Sequence, residues 1–250
     1  MSFKFQNDDA RCKAFREVLK QDWTKLESAE TDRGRGLPKP SVTKTYSEGA
    51  IFDLDHDIKD ISDKTLFEVV NSRRSTRKYQ DVFMTQKELS YLCHMTCHIS
   101  KFGPGYAMGV IPTGGATSSL ETYLYLHKVK DFVPGLYHYM KDTNQLRLIR
   151  SDITPEMVNE STLNQLRGAQ VIFYWTATPY RTEYKYSNTS HKMIAQESGH
   201  ACQNLYLASE AIGYGTVAIA AYNQIAADRL LELSEDEFVI YVAAVGKKII

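Results

Sequence analysis

The sequence predicts a mixed α/β or α+β protein, and three observations carry that expectation. "AQVIFYWTATP" (169–179) is a continuous apolar β run of the kind a sheet buries on both faces. "PGLYHYMKDTNQLRLI" (134–149) reads as a hairpin with its turn at Lys141 to Asn144. Residues 189–212 form the longest helix, with Ile194, Ala201, Leu205, Ala208 and Ile212 spaced at seven, four, three and four, and "GYG" stopping it.

The other elements follow in order. Residues 8–28 read as a helix through Phe15, Val18, Leu19, Trp23 and Leu26. Residues 29–62, with "TDRGRGLPKPSVTKTYSEG", are rich in Gly, Pro and charge and read as an extended arm, an ordered surface strap. A short helix with Leu66, Val69 and Val70 on one face follows, with Ser62 or Asp63 as the expected cap. Residues 85–101 read as a helix opened by the capping-box pair Thr85 and Glu88. "KFGPGYAMGVIPTGGATSS" reads as a loop of functional length. "LETYLYLHKV", "TVAIAAY" and "EFVIYVAAVG" read as strands, and "NQIAADRLLEL" as a helix.

Charge narrows the function. Thirty Lys+Arg balance thirty Asp+Glu, which argues against a protein that wraps nucleic acid. The cations are instead concentrated locally: "NSRRSTRKYQ" (71–80) holds Arg73, Arg74, Arg77 and Lys78 around Ser75 and Thr76. An Arg fork with hydroxyls beside it suits a small phosphate-bearing ligand. There is no run of eighteen apolar residues and no apolar core in "MSFKFQNDDA", so a cytoplasmic protein, free of membrane, is expected. Four cysteines without a CxxC pair suit reduced thiols. "CHMTCH" (93–98) sets Cys and His pairs four apart, but one helix brings at most two such ligands to one point, so no metal is expected there. "GYGTVAIAA" follows a helix and lacks the third glycine of a dinucleotide fingerprint. A serine nucleophile elbow is absent, "ESGH" lying inside a helix.

Four segments in order resemble the nitroreductase superfamily. "NSRRSTRKY" resembles its FMN-binding signature, and "IPTGGATSSLETYLYL" is similar to the P-S-A-G segment of the SagB-type dehydrogenase or azoline oxidase branch. "PGLYHYMKDTNQLRLI" and "ESGHACQNLYLASEAIGYG" resemble the hairpin and long helix of that branch, so the resemblance covers about residues 65–246. It implies an α+β, nitroreductase-like fold: a central mixed, mostly antiparallel sheet flanked by helices, in a domain-entwined homodimer with FMN at the interface. On this reading 1–62 are an N-terminal helix and arm, and 63–250 the FMN-binding domain. The arm is a candidate to wrap the dimer partner.

The resemblance assigns Arg73, Arg74, Ser75 and Arg77 to the FMN phosphate and ribityl chain, with Lys247 or Lys248 as a further phosphate cation. It assigns Pro112, Thr113, Gly114 and Gly115, together with Ala220 and Ala221, to the flavin ring. "YKYSNTSHK" is similar to the region that carries a Lys–Tyr proton-handling pair, here Lys185 and Tyr186. A lysine beside a flavin, its pKa lowered, suits a base, with Tyr as relay. Thr189 and Lys192 stand where the branch carries Arg, and Ser119 where it carries Pro. Glu197, His200, Gln203 and Asn204 read first as structural polar contacts. The implied activity is FMN-dependent oxidoreduction of a small molecule or peptide. Azoline dehydrogenation and NAD(P)H-dependent nitro or quinone reduction both stay open, and a non-catalytic scaffold in a peptide-modifying complex is the alternative.

Overall fold

The computed structural model describes residues 16–20, 22–26 and 30–249. The helix expected over 8–28 lies mostly outside the described residues; within them 16–19 are helical and Trp23–Lys25 form a 3-10 turn capped by Asp22. Among the described residues the strands are β1 Ile51–Asp53, β2 Ile99–Gly103, β3 Tyr106–Gly109, β4 Leu120–Leu126, β5 Gly135–Met140, β6 Gln145–Arg150, β7 Val171–Ala177, β8 Tyr214–Ile219 and β9 Phe238–Lys247. The helices are α1 Leu66–Ser72, α2 Gln86–Cys97, α3 Pro155–Thr162, α4 Tyr180–Tyr186, α5 Ser190–Ala211 and α6 Gln224–Leu230. None of the described helices is long and apolar enough to cross a membrane.

Seven strands form one sheet in the order β1-β6-β5-β4-β7-β9-β8, and β2-β3 form a separate hairpin. All of these ladders are antiparallel; the parallel contacts are isolated bridges, Ser75 to Thr216 and Met84 to Val129. β7 is central and buried along its whole length. Its side chains alternate between two cores, as a period of two requires. Val171, Phe173, Trp175 and Ala177 join the cluster under α2 and α5, while Ile172 and Tyr174 join the one under α3 and α6. Burying a large apolar side chain in either layer is worth about 1.5–3 kcal/mol.

The structure corrects several boundaries. α1 is capped by Thr65, not Ser62 or Asp63: Thr65 Oγ1 accepts from Glu68 N while Glu68 Oε2 accepts from Thr65 N. Ser62 instead donates to the Ala211 carbonyl, 2.6 Å away. α2 keeps its Thr85–Glu88 box but stops at Cys97, because His98 turns to extended backbone and Ile99 starts β2. "KFGPGYAMG" is thus largely a hairpin, with Pro104 and Gly105 in its turn and Gly105 at φ +69°. The helices α3 and α4 were not read from the sequence. Both are short, and α4 opens behind Pro179 without a side-chain cap.

Residues 30–62 hold to the body at several places, two of which bear on the site. Ile51–Asp53 is an edge strand on β6. Around residue 33 the segment docks on α4: Arg33 N donates to the Tyr184 carbonyl at 2.9 Å, Tyr184 Oη to the Leu37 carbonyl at 2.9 Å, and Tyr180 Oη to Asp32 at 3.0 Å. In "CHMTCH", Cys93 and Cys97 are buried in the core under α2, and the His94 and His98 rings stack 4.3 Å apart.

Candidate functional site

The Pro112–Ser119 segment is held in an irregular path. Gly115, Ala116 and Ser118 all have positive φ, at 59°, 57° and 51°. Hydroxyls fix this path in place of regular ladders. Thr113 Oγ1 donates to Glu197 Oε2 at 2.8 Å and accepts from Ser118 N at 3.0 Å. Ser119 Oγ donates to the same Glu197 oxygen at 3.0 Å, a bond that a proline at this position cannot make. His200 Nδ1 donates to the Pro112 carbonyl at 3.2 Å, and Asn204 to the carbonyls of Met95 and Val110. Glu197, His200 and Asn204 are therefore loop anchors on α5, while Gln203 is exposed.

A charged network sits beneath the loop. Glu121, fully buried in β4, meets Arg181 Nη2 at 2.6 Å, His138 Nε2 at 3.0 Å and Lys141 Nζ at 3.6 Å. Lys141 also donates to Ser118 Oγ at 2.9 Å, and Arg181 to the Ser118 carbonyl at 3.1 Å. Burial pushes the Glu121 carboxyl up, but Lys141, Arg181 and His138 overcome it and hold the group well below the usual carboxylate range. Burial pushes the Glu197 carboxyl up, and it lowers the Lys141 ammonium. The sequence reading missed Glu121, Lys141 and Arg181. One signal was available: Glu121 is a lone charge in the otherwise β-forming run "LETYLYL".

Lys185 and Tyr186 come to this loop from α4. Lys185 Nζ donates to the Gly115 carbonyl at 2.7 Å, across 70 residues of sequence. Tyr186 packs on Gly115 so closely that a Cβ there would lie 2.0 Å from its Oη, and its edge meets the Trp23 ring at 5.6 Å. Glycine is required at 115 for this approach, and its positive φ costs a glycine nothing. Burial lowers the Lys185 pKa, and the cations Arg33 and Lys39 of the arm lower it further. Thr189, in place of an Arg, donates to the Tyr186 carbonyl at 2.6 Å, and Lys192 donates to the Leu19 carbonyl at 3.0 Å.

The cation segment lies elsewhere. Arg73 stacks over the Tyr206 ring, 5.1 Å from its centroid, and Ser75 Oγ is 3.0 Å from Tyr206 Oη. Arg74 Nη1 donates to the carbonyls of Asn71 and Arg73, and Arg77 Nη1 makes only a long contact with the Ser75 carbonyl. Lys247 places its ammonium over Tyr214 and 3.7 Å from Glu88. Lys248 pairs with Glu210, which also accepts from Ser72 at the end of α1. Ala220 and Ala221 are exposed at the end of β8; Ala220 lines a cavity with Ala195, Ser198, Tyr222, Ile240 and Tyr241.

Helix geometry divides these parts between two flanks of α5. Glu197, the anchor of the loop, and Tyr206, the anchor of the cations, are nine residues apart, hence about 180° around the axis and about 13 Å along it. Ala195 and Tyr206, eleven apart, fall within about 20° of each other. The structure therefore brings Pro112, Thr113, Gly114 and Gly115 together with Lys185 and Tyr186. It sets Arg73, Arg74, Ser75 and Arg77 on the other flank, shared with Ala220.

Residues 70–247 match the family model described as "Nitroreductase family". A protein of Methanocaldococcus jannaschii with a provisional nitroreductase name is 26% identical over 196 residues, 77% of this chain and 96% of that protein. A solved chain from Anabaena variabilis, also provisionally named a nitroreductase, is similar in fold with a TM-score of 0.63 at 23% identity; the match covers 74% of this chain and 38% of that longer one. A chain of the Escherichia coli microcin synthetase McbBCD complex, solved with truncated pro-MccB17 bound, has a TM-score of 0.62 at 15% identity, covering 96% of this chain and 93% of that one.

Proposed function

Since the chain belongs to the nitroreductase family, we propose that it is an FMN-dependent, homodimeric oxidoreductase of the SagB-type branch, with Lys185 and Tyr186 handling the proton. One observation carries the reading: the convergence of Lys185 and Tyr186 on Gly115, in the loop assigned to the flavin ring. The cation segment fits the phosphate, because Arg74 and Arg77 bond only to main-chain carbonyls and Ser75 offers a hydroxyl between them. Ala220 and Ala221 are small and exposed, so a planar ring can approach the main chain there.

The division around α5 supports the dimer. Cations and loop lie on opposite flanks of one helix, so a single ligand touching both draws them from two chains. A two-fold copy satisfies this, each chain lending its loop to the partner's cations. Exposed Leu66, Phe67 and Val70 on α1, at 69%, 78% and 50%, supply apolar surface for such a contact.

When bound, FMN supplies a two-electron acceptor or donor at N5. Dehydrogenation of an azoline removes a hydride and a proton, and Lys185 takes the proton. Burial and the nearby Arg33 and Lys39 lower its pKa, which eases its turnover between ammonium and free amine, and Tyr186 beside it relays the proton onward. Glu197 and the Glu121 network tie the loop in place through Thr113, Ser118 and Ser119. A second reading, NAD(P)H-dependent reduction of nitro compounds or quinones, draws on the name of the M. jannaschii relative. A scaffold without catalysis is the third.

Purified protein is expected to carry or take up FMN, seen as flavin absorbance, and Lys185→Ala is expected to keep FMN and lose dehydrogenation. A chain that never binds FMN would end the enzyme reading. Unchanged turnover in Lys185→Ala would remove that lysine from the mechanism. Anaerobic stopped flow with NADPH, NADH and an azoline peptide distinguishes the two activities by which one reduces the flavin fastest.

A further inference from the structure

On the sheet face opposite α5, the arm closes a second cavity over β4 and β6. It holds about 390 Å³, within the ordinary range for a small-molecule site. Its distinguishing feature is Arg147. Three cations are buried among the described residues, and two of them, Lys141 and Arg181, share Glu121. The third, Arg147, is only 8% exposed and has no acidic partner, and its Nε has no hydrogen-bond acceptor. Its guanidinium lies 4.3 Å from the centroid of the Tyr46 ring. The arm backbone covers it closely: a Cβ on Gly49, whose φ is +110°, would sit 2.9 Å from Arg147 Nε and Nη2. A buried cation is costly unless an anion meets it.

The other charges at this cavity are engaged or peripheral. Lys44 is committed to Glu237 at 2.5 Å and to the Tyr123 hydroxyl at 2.7 Å. Glu232 pairs with Arg150 at 3.2 Å, and Glu48 stands exposed at the rim. Ile149 and Leu231 give the wall an apolar stretch beside the guanidinium.

We propose that this cavity binds a small aliphatic carboxylate, its two oxygens on the terminal Nη1 and Nη2 of Arg147, whose Nε is sealed under the arm, and its body against Ile149 and Leu231. A planar fork matches a carboxylate better than a point charge does. The site lies apart from Lys185 and from the Arg73–Arg77 segment, so it does not rest on the flavin reading.

Calorimetric titration of the full chain, loaded with FMN if it takes it up, tests this with sodium isovalerate at constant ionic strength. Isovaleramide and inorganic phosphate serve as comparison ligands. The expected result is saturable binding of one isovalerate per chain, with isovaleramide about tenfold weaker or worse, as loss of a charged hydrogen-bonded pair implies. Arg147→Lys, which keeps the charge and loses the fork, is expected to weaken binding, and Arg147→Met to abolish it. Far-UV circular dichroism checks both folds; if Arg147→Met does not fold, Arg147→Lys decides. The flavin spectrum should not move on binding. Absence of saturable binding, equal affinity in the folded variants, or binding that tracks a flavin spectral change overturns the proposal. Phosphate binding in preference to isovalerate overturns the carboxylate assignment. A chain that takes up no FMN sinks only the flavin reading, and the same titration then runs on that chain.

Discussion

On the flank of α5 that faces Pro112–Ser119, the charged side chains meet partners inside the protein, whereas on the flank that faces Arg73–Arg77 the cations meet carbonyl oxygens and one aromatic ring. Glu121 gathers Arg181, Lys141 and His138, and Glu197 gathers two hydroxyls. Arg74 and Arg77 gather no carboxylate. The first flank is held in shape by its own ion pairs and hydroxyl bonds, and the second carries guanidinium charge without a carboxylate, as the proposed phosphate site requires. If FMN seats there, charge pairing separates positioning from binding more clearly than charge content does.

Substitutions sharpen this contrast, and the largest effect belongs to the buried side. Glu121→Gln leaves Arg181 and Lys141 without their anion and is expected to cost about 3–5 kcal/mol of folding stability in denaturant titration. Because the folded Glu121 carboxyl is held low, its contribution is full above the ordinary value of 4.5 and is lost as pH falls below it. The gap between wild type and Glu121→Gln should narrow in that direction; a gap that widens in acid would break the account. Glu197→Ala removes both hydroxyl contacts and is expected to cost about 1–3 kcal/mol, with hydrogen exchange rising in 113–119. Protection that stays unchanged there would free the loop from its supposed anchor.

On the other flank, Arg77→Ala is expected to leave the unfolding midpoint in place and weaken FMN about tenfold, read by flavin fluorescence titration. A large loss of stability without FMN present would make the cluster structural and dissolve the contrast. The smallest effect is a shift in a pH profile. Arg33→Ala with Lys39→Ala removes two like charges beside Lys185, so the acidic limb of the rate profile, where a general base loses its proton, should move up toward the ordinary lysine value. No movement would detach the arm from the chemistry.

Much of this was legible in the sequence where one rule dominates. β7 reads at once because seven consecutive buried residues leave no competing pattern. α5 reads from its apolar spacing, and the β5–β6 hairpin from its turn. Lys185 and Tyr186 were visible only through resemblance, since nothing in "YKYSNTSHK" announces contact with Gly115. α2 ends four residues before the expected 101 because the backbone turns extended at His98 and Ile99 starts β2. Nothing in the hairpin run "QLRLI" marks Arg147. Its isolation arises only when arm residues 46–49 fold over β6, a long-range event with no local signature.

The main-chain bond from Thr76 N to the Thr216 carbonyl, 2.9 Å long, has a further consequence. β8 is the last strand of the large sheet, and Ser75 bridges its outer side in parallel. The cationic stretch is thus also an edge guard, covering hydrogen-bonding groups that would otherwise template pairing with a neighbouring molecule. A change that peels this stretch from β8 would leave a bare strand, and solubility at high protein concentration would fail before folding does.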